Sequence, residues 1–217
     1  MNLMAGAGVP GYRPLPILPT MPETATTRLL LIRHAAIAMA GRFCGHTDAP
    51  LSEQGMAQLP GLVKELAATK FAQIYSSDLQ RCRQTAQALA EWHRANPICQ
   101  STLREIHFGR WEAWSWQQIE ADDPQYARQW IEQYPLLASP GGEDFLSFQA
   151  RIRMALEQIA EAHRGEQVAV VAHGGVLRVA AMMAAAAPLE EFGKLHFGYT
   201  ESLRLEIGPA GWRIGSI

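Results

Sequence analysis

Two short runs of consecutive apolar residues stand out in the hydrophobic pattern of the chain, RLLLI (28–32) and QVAVVA (167–172). Runs of this length without alternating polar residues are typical of strands that are buried on both faces of a parallel sheet. A histidine follows each run closely, His34 after the first and His173 after the second. We therefore predict two buried strands whose carboxyl ends each carry a histidine.

Weaker strand patterns alternate with segments in which apolar residues recur at every third or fourth position, the spacing of a helix. Further strands are predicted at 71–77 and 97–100, and a hairpin is predicted at 203–207 and 212–217, around GPAG. Helices are predicted at 51–69 and 143–163. Two more helices are predicted to begin after Ser77 and at Gly174 and Gly175. Alternating strands and helices predict an α/β fold, a three-layer α/β/α sandwich with a mostly parallel sheet.

Capping and helix-breaking residues indicate where two of these helices begin and where one is interrupted. Ser52 has the side chain of an N-cap and is expected to begin the first helix. Pro60 lies inside that helix and predicts a kink or a break there. Ser77 or Asp78 is expected to cap the second helix, which places Arg81 in its first turn.

Proline, glycine and aromatic residues divide the chain into unequal parts. Residues 1–27 are rich in proline and glycine and lack the apolar core of a signal peptide, so we expect a flexible N-terminal tail. Residues 28–217 are expected to form a single domain, with an aromatic, proline-broken helical insertion at about 105–140. The apolar segment 176–189 contains Arg178 and is too short to span a bilayer, so no membrane segment is predicted.

Composition narrows the classes of function. Of the 217 residues, 48% are hydrophobic and 18% are charged, as in an ordinary globular protein. The formal net charge of −2 provides no basic surface, so neither nucleic acid nor an anionic membrane is expected as a partner. The three cysteines, Cys44, Cys82 and Cys99, have neither a disulfide nor a zinc spacing, which favours a reducing, cytoplasmic location.

The predicted sheet brings charged residues together at one edge. Ligand sites in open parallel sheets lie beyond the carboxyl ends of the strands, where His34 and His173 are expected. Arg33 adjoins the first histidine, and Arg81 begins a helix after another strand, so the arginines are expected in the same pocket. Guanidinium groups match phosphate oxygens, and a neutral imidazole can act as a nucleophile. A metal site is disfavoured because the arginines repel cations, and serine hydrolysis lacks its GxSxG motif.

Several blocks of sequence carry a more specific pattern: LLLIRHA, GRFCGHTDAPLSEQG, YSSDLQRCRQTA, LREIHFGRWE, PGGEDF and VVAHGGVLR. In this order, from about residue 28 to about residue 178, they resemble the histidine phosphatase superfamily, also called the phosphoglycerate mutase-like family. The blocks are specific in combination, although each alone is weak. The resemblance implies a phosphoglycerate mutase-like fold and phosphoryl transfer through a phosphohistidine.

The resemblance also implies roles for the charged residues of the pocket. His34, in the RH pair, would be the nucleophile that takes the phosphoryl group, and Arg33 would hold the phosphoryl oxygens. Arg81 and His173 would complete the phosphate site, with His173 also among the catalytic residues. Glu105, in the LREI block, matches the acid that protonates the leaving oxygen and later activates water.

The loop after the first strand both matches the family pattern and departs from it. Cys44 and Gly45 fall where relatives contact their substrate, so both are expected to bind it. Ala35 and Ala36 stand where most relatives have glycine and often glutamate, so one phosphate contact is expected to be absent or supplied differently. The resemblance implies no metal and no cofactor.

The blocks look most like those of alpha-ribazole phosphatases. This resemblance implies a metal-independent phosphomonoesterase that removes a 5′-phosphate in cobalamin biosynthesis, with a small-molecule phosphomonoester as its partner. Two alternatives stay open: a phosphoglycerate mutase that shuttles a phosphoryl group, and a catalytically weak protein that binds a phosphorylated ligand. The sequence is also compatible with a homodimer.

Overall fold

A computed structural model describes residues 25–215 of the chain. Within that range, a six-stranded sheet is flanked by six α-helices. The strands are β1 (Thr27–Arg33), β2 (Gln73–Ser77), β3 (Ile98–Gln100), β4 (Gln167–Ala172), β5 (Ser202–Gly208) and β6 (Gly211–Ile214). The helices are α1 (Glu53–Leu66), α2 (Gln80–His93), α3 (Trp116–Asp122), α4 (Pro124–Glu132), α5 (Phe145–Ala162) and α6 (Gly174–Ala184). The strands and helices that the sequence predicts are present, with small shifts at their ends.

The first strand lies inside the sheet, between β4 and β5, in the strand order β3-β2-β4-β1-β5-β6. The strands β3, β2, β4 and β1 are parallel, and the β5–β6 hairpin joins β1 in antiparallel orientation. The predicted α/β fold with a mostly parallel sheet is therefore confirmed. Because Arg33 pairs with Ala172, the carboxyl ends of β1 and β4 lie side by side.

Alternate side chains of β1 enter two separate cores, one on each face of the sheet. Leu29 and Leu31 pack in a core that also holds apolar residues of α5 and α6. Leu30 and Ile32 pack in a second core with residues of α2 and α1. Because full burial of such a side chain stabilises a protein by roughly 1.5–3 kcal/mol, β1 is anchored from both faces. The residues that follow β1 are held in place by this anchoring.

The first helix has the predicted cap but not the predicted break. Ser52 is the N-cap of α1, and its side-chain oxygen accepts a hydrogen bond from the Gly55 amide at 3.0 Å. The helix continues through Pro60, so a break there is wrong, and a kink at Pro60 stays a prediction. Pro60 and Met56 are both exposed, and water can bind the carbonyl that loses its helical partner there.

The second helix is capped by a residue distant in the sequence. Its N-cap position is occupied by Leu79, so the predicted caps Ser77 and Asp78 are wrong. Leu79 offers no side-chain oxygen, and the first amide of α2 donates instead to the carboxylate of Asp48 at 2.6 Å. Asp78 is engaged elsewhere, because Arg104 donates to both of its carboxylate oxygens at 2.7 and 2.6 Å.

The region predicted as an insertion, 105–140, contains α3 and α4 and has a small apolar core of its own. Trp111, Ile119 and Ala127 are buried in that core, and partly buried aromatic side chains surround them. This cluster is separate from the two cores that cover the sheet.

The predicted N-terminal tail, 1–27, lies almost entirely outside the described residues. Thr27 already belongs to β1, and its hydroxyl donates to the Ala160 carbonyl at 2.7 Å. Over residues 25–215, none of the helices is both long enough and apolar enough to cross a membrane.

Candidate active site

The carboxyl ends of β1 and β4 open into a cavity of about 620 Å³. The residues predicted to carry phosphoryl-transfer chemistry all line it: Arg33, His34, Arg81, Glu105 and His173. The His34 amide donates to the Ala172 carbonyl at 3.0 Å, which extends the β1–β4 pairing beyond the end of β1. The rings of His34 and His173 consequently lie with their centroids 5.2 Å apart.

The ring of His34 is buried and has one defined tautomer. Its Nδ1 lies 2.8 Å from the carbonyl oxygen of Ala35, which can only accept, so Nδ1 carries the proton. Burial is the largest cause that lowers the pKa of His34, and the nearby positive charges of Arg81 and Arg33 lower it further, to about 3. The ring is therefore neutral near pH 7 with a lone pair on Nε2, the state that a nucleophile requires.

The guanidinium group of Arg81 is almost completely buried, at 1% exposure, and is held by backbone carbonyls. It donates to the carbonyls of Thr47 at 2.7 Å, Cys44 at 3.0 Å and Gly45 at 2.8 Å. Among residues 25–215, no carboxylate forms a salt bridge with this cation. A buried charge without a counter-ion is costly, so the geometry favours an anionic ligand beside Arg81.

A second cation, Arg33, faces the same cavity. Its Nη1 donates to the Phe197 carbonyl at 2.6 Å, and its guanidinium carbon lies 4.1 Å from the centroid of the Tyr199 ring. Its Nε is buried without a hydrogen-bond partner in the part of the chain that the structure describes. Gly174 leaves room beside this nitrogen, because a Cβ there would lie 3.5 Å from it. An orphaned N–H donor at the cavity wall is a second indication of an anionic ligand.

The second histidine, His173, uses both of its ring nitrogens within the protein. Its Nδ1 accepts a hydrogen bond from Arg81 Nε at 3.2 Å, so Nε2 carries the proton and donates to Ser77 Oγ at 2.9 Å. Burial, and after it the charge of Arg81, keeps the pKa of His173 well below its ordinary value. The structure thus shows a neutral His173 that orients Arg81, and a direct contact of His173 with phosphate stays a prediction.

The carboxylate of Glu105 lies at the amino end of α6. Its Oε2 accepts a hydrogen bond from the Gly175 amide at 2.8 Å, and its Oε1 accepts one from the Ile106 amide at 3.0 Å. A Cβ at position 175 would lie 2.1 Å from Oε1, so any side chain there would displace the carboxylate. Arg151 donates to the Glu105 carbonyl at 3.3 Å, which holds the segment from the other side. The carboxyl group is thereby fixed in the same cavity as His34.

The two residues predicted to bind substrate differ in position. Cys44 lines the cavity, whereas Gly45 does not. Gly45 packs closely against the segment that carries Glu105, because a Cβ there would lie 2.1 Å from the Ile106 carbonyl oxygen. Both carbonyls accept hydrogen bonds from Arg81, so their observed contribution is to hold that arginine. Substrate binding by either residue stays a prediction.

Glu112, the last residue of the LREIHFGRWE block, supports the site in a way that the sequence does not indicate. Its Oε1 accepts hydrogen bonds from the amides of His46 at 2.8 Å and Phe108 at 2.9 Å. Its Oε2 accepts from the Thr47 amide at 2.8 Å and from the Thr47 hydroxyl. Burial raises the pKa of Glu112, but these hydrogen bonds together outweigh burial and place the pKa below its ordinary value. Glu112 therefore ties the loop that holds Arg81 to the segment that holds Glu105.

The outer wall of the cavity is mostly apolar and aromatic, and it includes Phe43, Phe108, Trp130, Tyr134 and Phe192. Of the tryptophans in the insertion, Trp130 lines the cavity, whereas Trp111 lies in the insertion core at 1% exposure. Arg178, on α6, adds a positive charge to this wall. The cavity thus combines buried cationic side chains with a mainly apolar and aromatic lining.

The strands β1 and β4 bring Arg33, His34 and His173 to one cavity, and α2 adds Arg81, an arrangement suited to binding a phosphate group. The family model of the histidine phosphatase superfamily (branch 1) matches residues 29–217, and the chain belongs to this superfamily. It is an enzyme of the phosphatase class.

Relatives of the chain carry the names of different phosphatases. The metal-independent phosphoserine phosphatase of Arabidopsis thaliana is 34% identical over 161 residues, which cover 72% of this chain and 68% of that protein. The adenosylcobalamin/alpha-ribazole phosphatase of Salmonella typhimurium is 28% identical over 152 residues, which cover 69% of this chain and 75% of that protein. The solved structure of a mycobacterial glucosyl-3-phosphoglycerate phosphatase has a TM-score of 0.76 at 28% identity, covering 87% of this chain and 97% of that chain.

Proposed function

We propose that the protein hydrolyses small-molecule phosphomonoesters without a metal ion, through a phosphohistidine formed on Nε2 of His34. The observation that carries the proposal is the neutral, buried His34 ring beside the cations Arg33 and Arg81, which have no carboxylate partner among the described residues. Phosphoryl transfer depends on in-line attack and on fixed positive charge around the equatorial oxygens. Two guanidinium groups that are already held in place supply this charge without reorganising.

In the first half-reaction, the lone pair of His34 Nε2 forms a bond to phosphorus while the bond from phosphorus to the leaving oxygen breaks. Glu105 acts as the general acid and gives a proton to that oxygen, so the leaving group departs as an alcohol. In the second half-reaction, Glu105 takes a proton from water as the water oxygen attacks phosphorus and the P–N bond breaks. Inorganic phosphate then leaves, and both residues return to their starting states. General acid–base catalysis of this kind contributes about 10²–10⁴ in rate.

One candidate leaving group is alpha-ribazole, released from its 5′-phosphate. The aromatic outer wall supports this candidate, because Phe43, Phe108 and Trp130 can stack on a flat benzimidazole ring. The similarity to a Salmonella typhimurium protein named adenosylcobalamin/alpha-ribazole phosphatase supports it too. If alpha-ribazole 5′-phosphate is hydrolysed no faster than simple sugar phosphates, this substrate is wrong. A second candidate, a phosphomonoester that also bears a carboxylate, is favoured by Arg178 in the same wall.

The experiment that tests the reaction is phosphate release by the purified protein in EDTA. The substrates are alpha-ribazole 5′-phosphate, O-phosphoserine, 3-phosphoglycerate and a panel of sugar phosphates. We expect release that EDTA does not reduce, that is lost in His34→Ala, and that is kept in His196→Ala. His196 is a matched control because it is exposed and lies outside the cavity.

Trapping of the intermediate separates the proposed reaction from its alternatives. Acid-labile, alkali-stable phosphate on the wild-type protein and none on His34→Ala is the expected result for a phosphohistidine. Labelled protein that passes phosphate between phosphoglycerates without net release would instead indicate a mutase. Phosphate binding with neither label nor release would indicate a binding protein.

A further inference from the structure

Arg178 is a cation in the cavity wall that the proposed reaction does not use. It lies on α6, four residues after Gly174 and three after Gly175. Residues three or four apart occupy the same helix face, with Cβ atoms roughly 5–6 Å apart. Because Gly174 adjoins the guanidinium of Arg33, Arg178 lies about one helical turn from the phosphate end of the cavity.

The guanidinium group of Arg178 is held in position by two aromatic neighbours. Its Nη1 donates to the hydroxyl oxygen of Tyr134 at 3.2 Å, and its central carbon lies 5.2 Å from the centroid of the Phe192 ring. The side chain is half-buried, so little conformational freedom remains to be lost when it binds a ligand. The remaining N–H groups of its planar fork suit a planar carboxylate.

The carboxylates in the same wall are engaged by other groups. Glu143 forms two hydrogen bonds with Arg151, at 2.9 and 2.7 Å. Glu105 accepts hydrogen bonds from two backbone amides. Within residues 25–215, no carboxylate forms a salt bridge with Arg178. The wall therefore presents a positioned positive charge to whatever fills the cavity.

We propose that Arg178 determines specificity by binding a carboxylate on the leaving group, so that the preferred substrates are phosphate esters of small hydroxy acids. In such an ester the carboxylate and the ester oxygen are separated by one or two carbon atoms, which suits two cationic groups one helical turn apart. The inference rests on the proposed function, because it assumes a phosphate at Arg33 and Arg81. It competes with alpha-ribazole 5′-phosphate, which has no anionic group besides its phosphate.

The test compares pairs of esters that differ in the carboxylate. O-phosphoserine is paired with O-phosphoethanolamine, and 3-phosphoglycerate is paired with glycerol 3-phosphate. We expect the wild-type kcat/KM to favour the carboxylate-bearing member by about ten- to a hundredfold, the range of a charge-assisted hydrogen bond. In Arg178→Gln the ratio should fall close to one, because kcat/KM falls much more for the carboxylate-bearing member of each pair than for the carboxylate-free member. Arg83→Gln, which removes an exposed arginine of α2 outside the cavity, should keep the wild-type ratio.

Two results would overturn the inference while leaving the proposed function intact. One is a wild-type ratio close to one, and the other is an equal loss on both members of each pair in Arg178→Gln. If no ester is hydrolysed, the proposed function fails, and calorimetry on His34→Ala still decides the role of Arg178. In His34→Ala, tighter binding of O-phosphoserine than of O-phosphoethanolamine supports the inference if Arg178→Gln abolishes the difference. Equal binding of the two esters contradicts the inference.

Discussion

The neutral ring of His34 ties the stability of the protein to pH. Its pKa is about 3 in the folded protein, against about 6.5 in an unfolded chain. Between these values the unfolded chain binds more protons, so the free energy of unfolding falls as the pH falls below 6.5. Between pH 7 and pH 5, we expect the free energy of unfolding of His34→Gln to fall by about 2 kcal/mol less than that of the wild type. Urea unfolding at the two pH values measures this difference. Equal losses in the two proteins would show that His34 binds its proton over the same pH range in the folded protein as in an unfolded chain.

Replacement of Glu105 should reveal its proton transfer through the choice of leaving group. Glu105→Gln keeps an oxygen that can accept from the Gly175 amide, but it cannot give a proton to the leaving oxygen. We expect kcat on alkyl phosphates to fall by about 10²–10⁴. The rate constant of the first chemical step should fall much less for p-nitrophenyl phosphate, since p-nitrophenolate leaves without a proton. Rapid-quench kinetics measure this step, with Glu120→Gln on the exposed face of α3 as the control.

Among the connecting segments, the loop that carries Cys44 and Thr47 depends on Glu112. In Glu112→Gln an NH₂ group replaces one carboxylate oxygen and faces backbone N–H donors. We expect the free energy of unfolding to fall by about 1–3 kcal/mol, the cost of an unsatisfied buried donor. We also expect inhibition by inorganic phosphate to weaken severalfold, because the carbonyls that hold Arg81 are released.

Urea unfolding and phosphate inhibition measure the two effects of this substitution. Glu91→Gln, on the exposed end of α2, serves as the control and should change neither quantity. Loss of stability with unchanged phosphate affinity would show that the loop holds Arg81 without Glu112.

The strands and helices could be predicted from the sequence where local pattern decides them. The apolar runs before Arg33 and before His173 are long enough to indicate buried strands, and the parallel arrangement then brings both histidines to one edge. The prediction fails where a distant residue takes part. Asp48 caps α2 in place of the local candidates, and α1 passes through Pro60 because the affected face is exposed.

The parts of the site that the sequence does not reveal are contacts between segments far apart in the chain. Phe197 and Tyr199 hold Arg33 from the segment before β5, and no motif in that segment indicates it. The hydrogen bonds of Glu112 and Arg178 likewise depend on how loops and helices pack. Residue type and spacing identify candidates for chemistry, but long-range packing decides which of their hydrogen-bonding groups are free.

In the molecule as a whole, the insertion that forms one side of the cavity has its own small core. Because that core is separate from the two cores of the sheet, the insertion can open without unfolding the rest. We expect amide hydrogen exchange in α3 and α4 to require less free energy than exchange in β1 and β4. Hydrogen-exchange mass spectrometry measures the difference, and equal protection of the four elements would show that the domain opens as one unit.

The pairing of β1 with β4 joins residues more than a hundred positions apart, and this has a consequence for synthesis of the protein. The His34 amide can donate to the Ala172 carbonyl only after the ribosome has synthesised β4, and α6 is synthesised later still. Non-local strand pairing of this kind is a late and slow step of folding. For most of translation, the nascent chain therefore contains His34 without the residues of β4 and α6 that surround it in the folded protein. Phosphatase activity arises only once translation has passed α6.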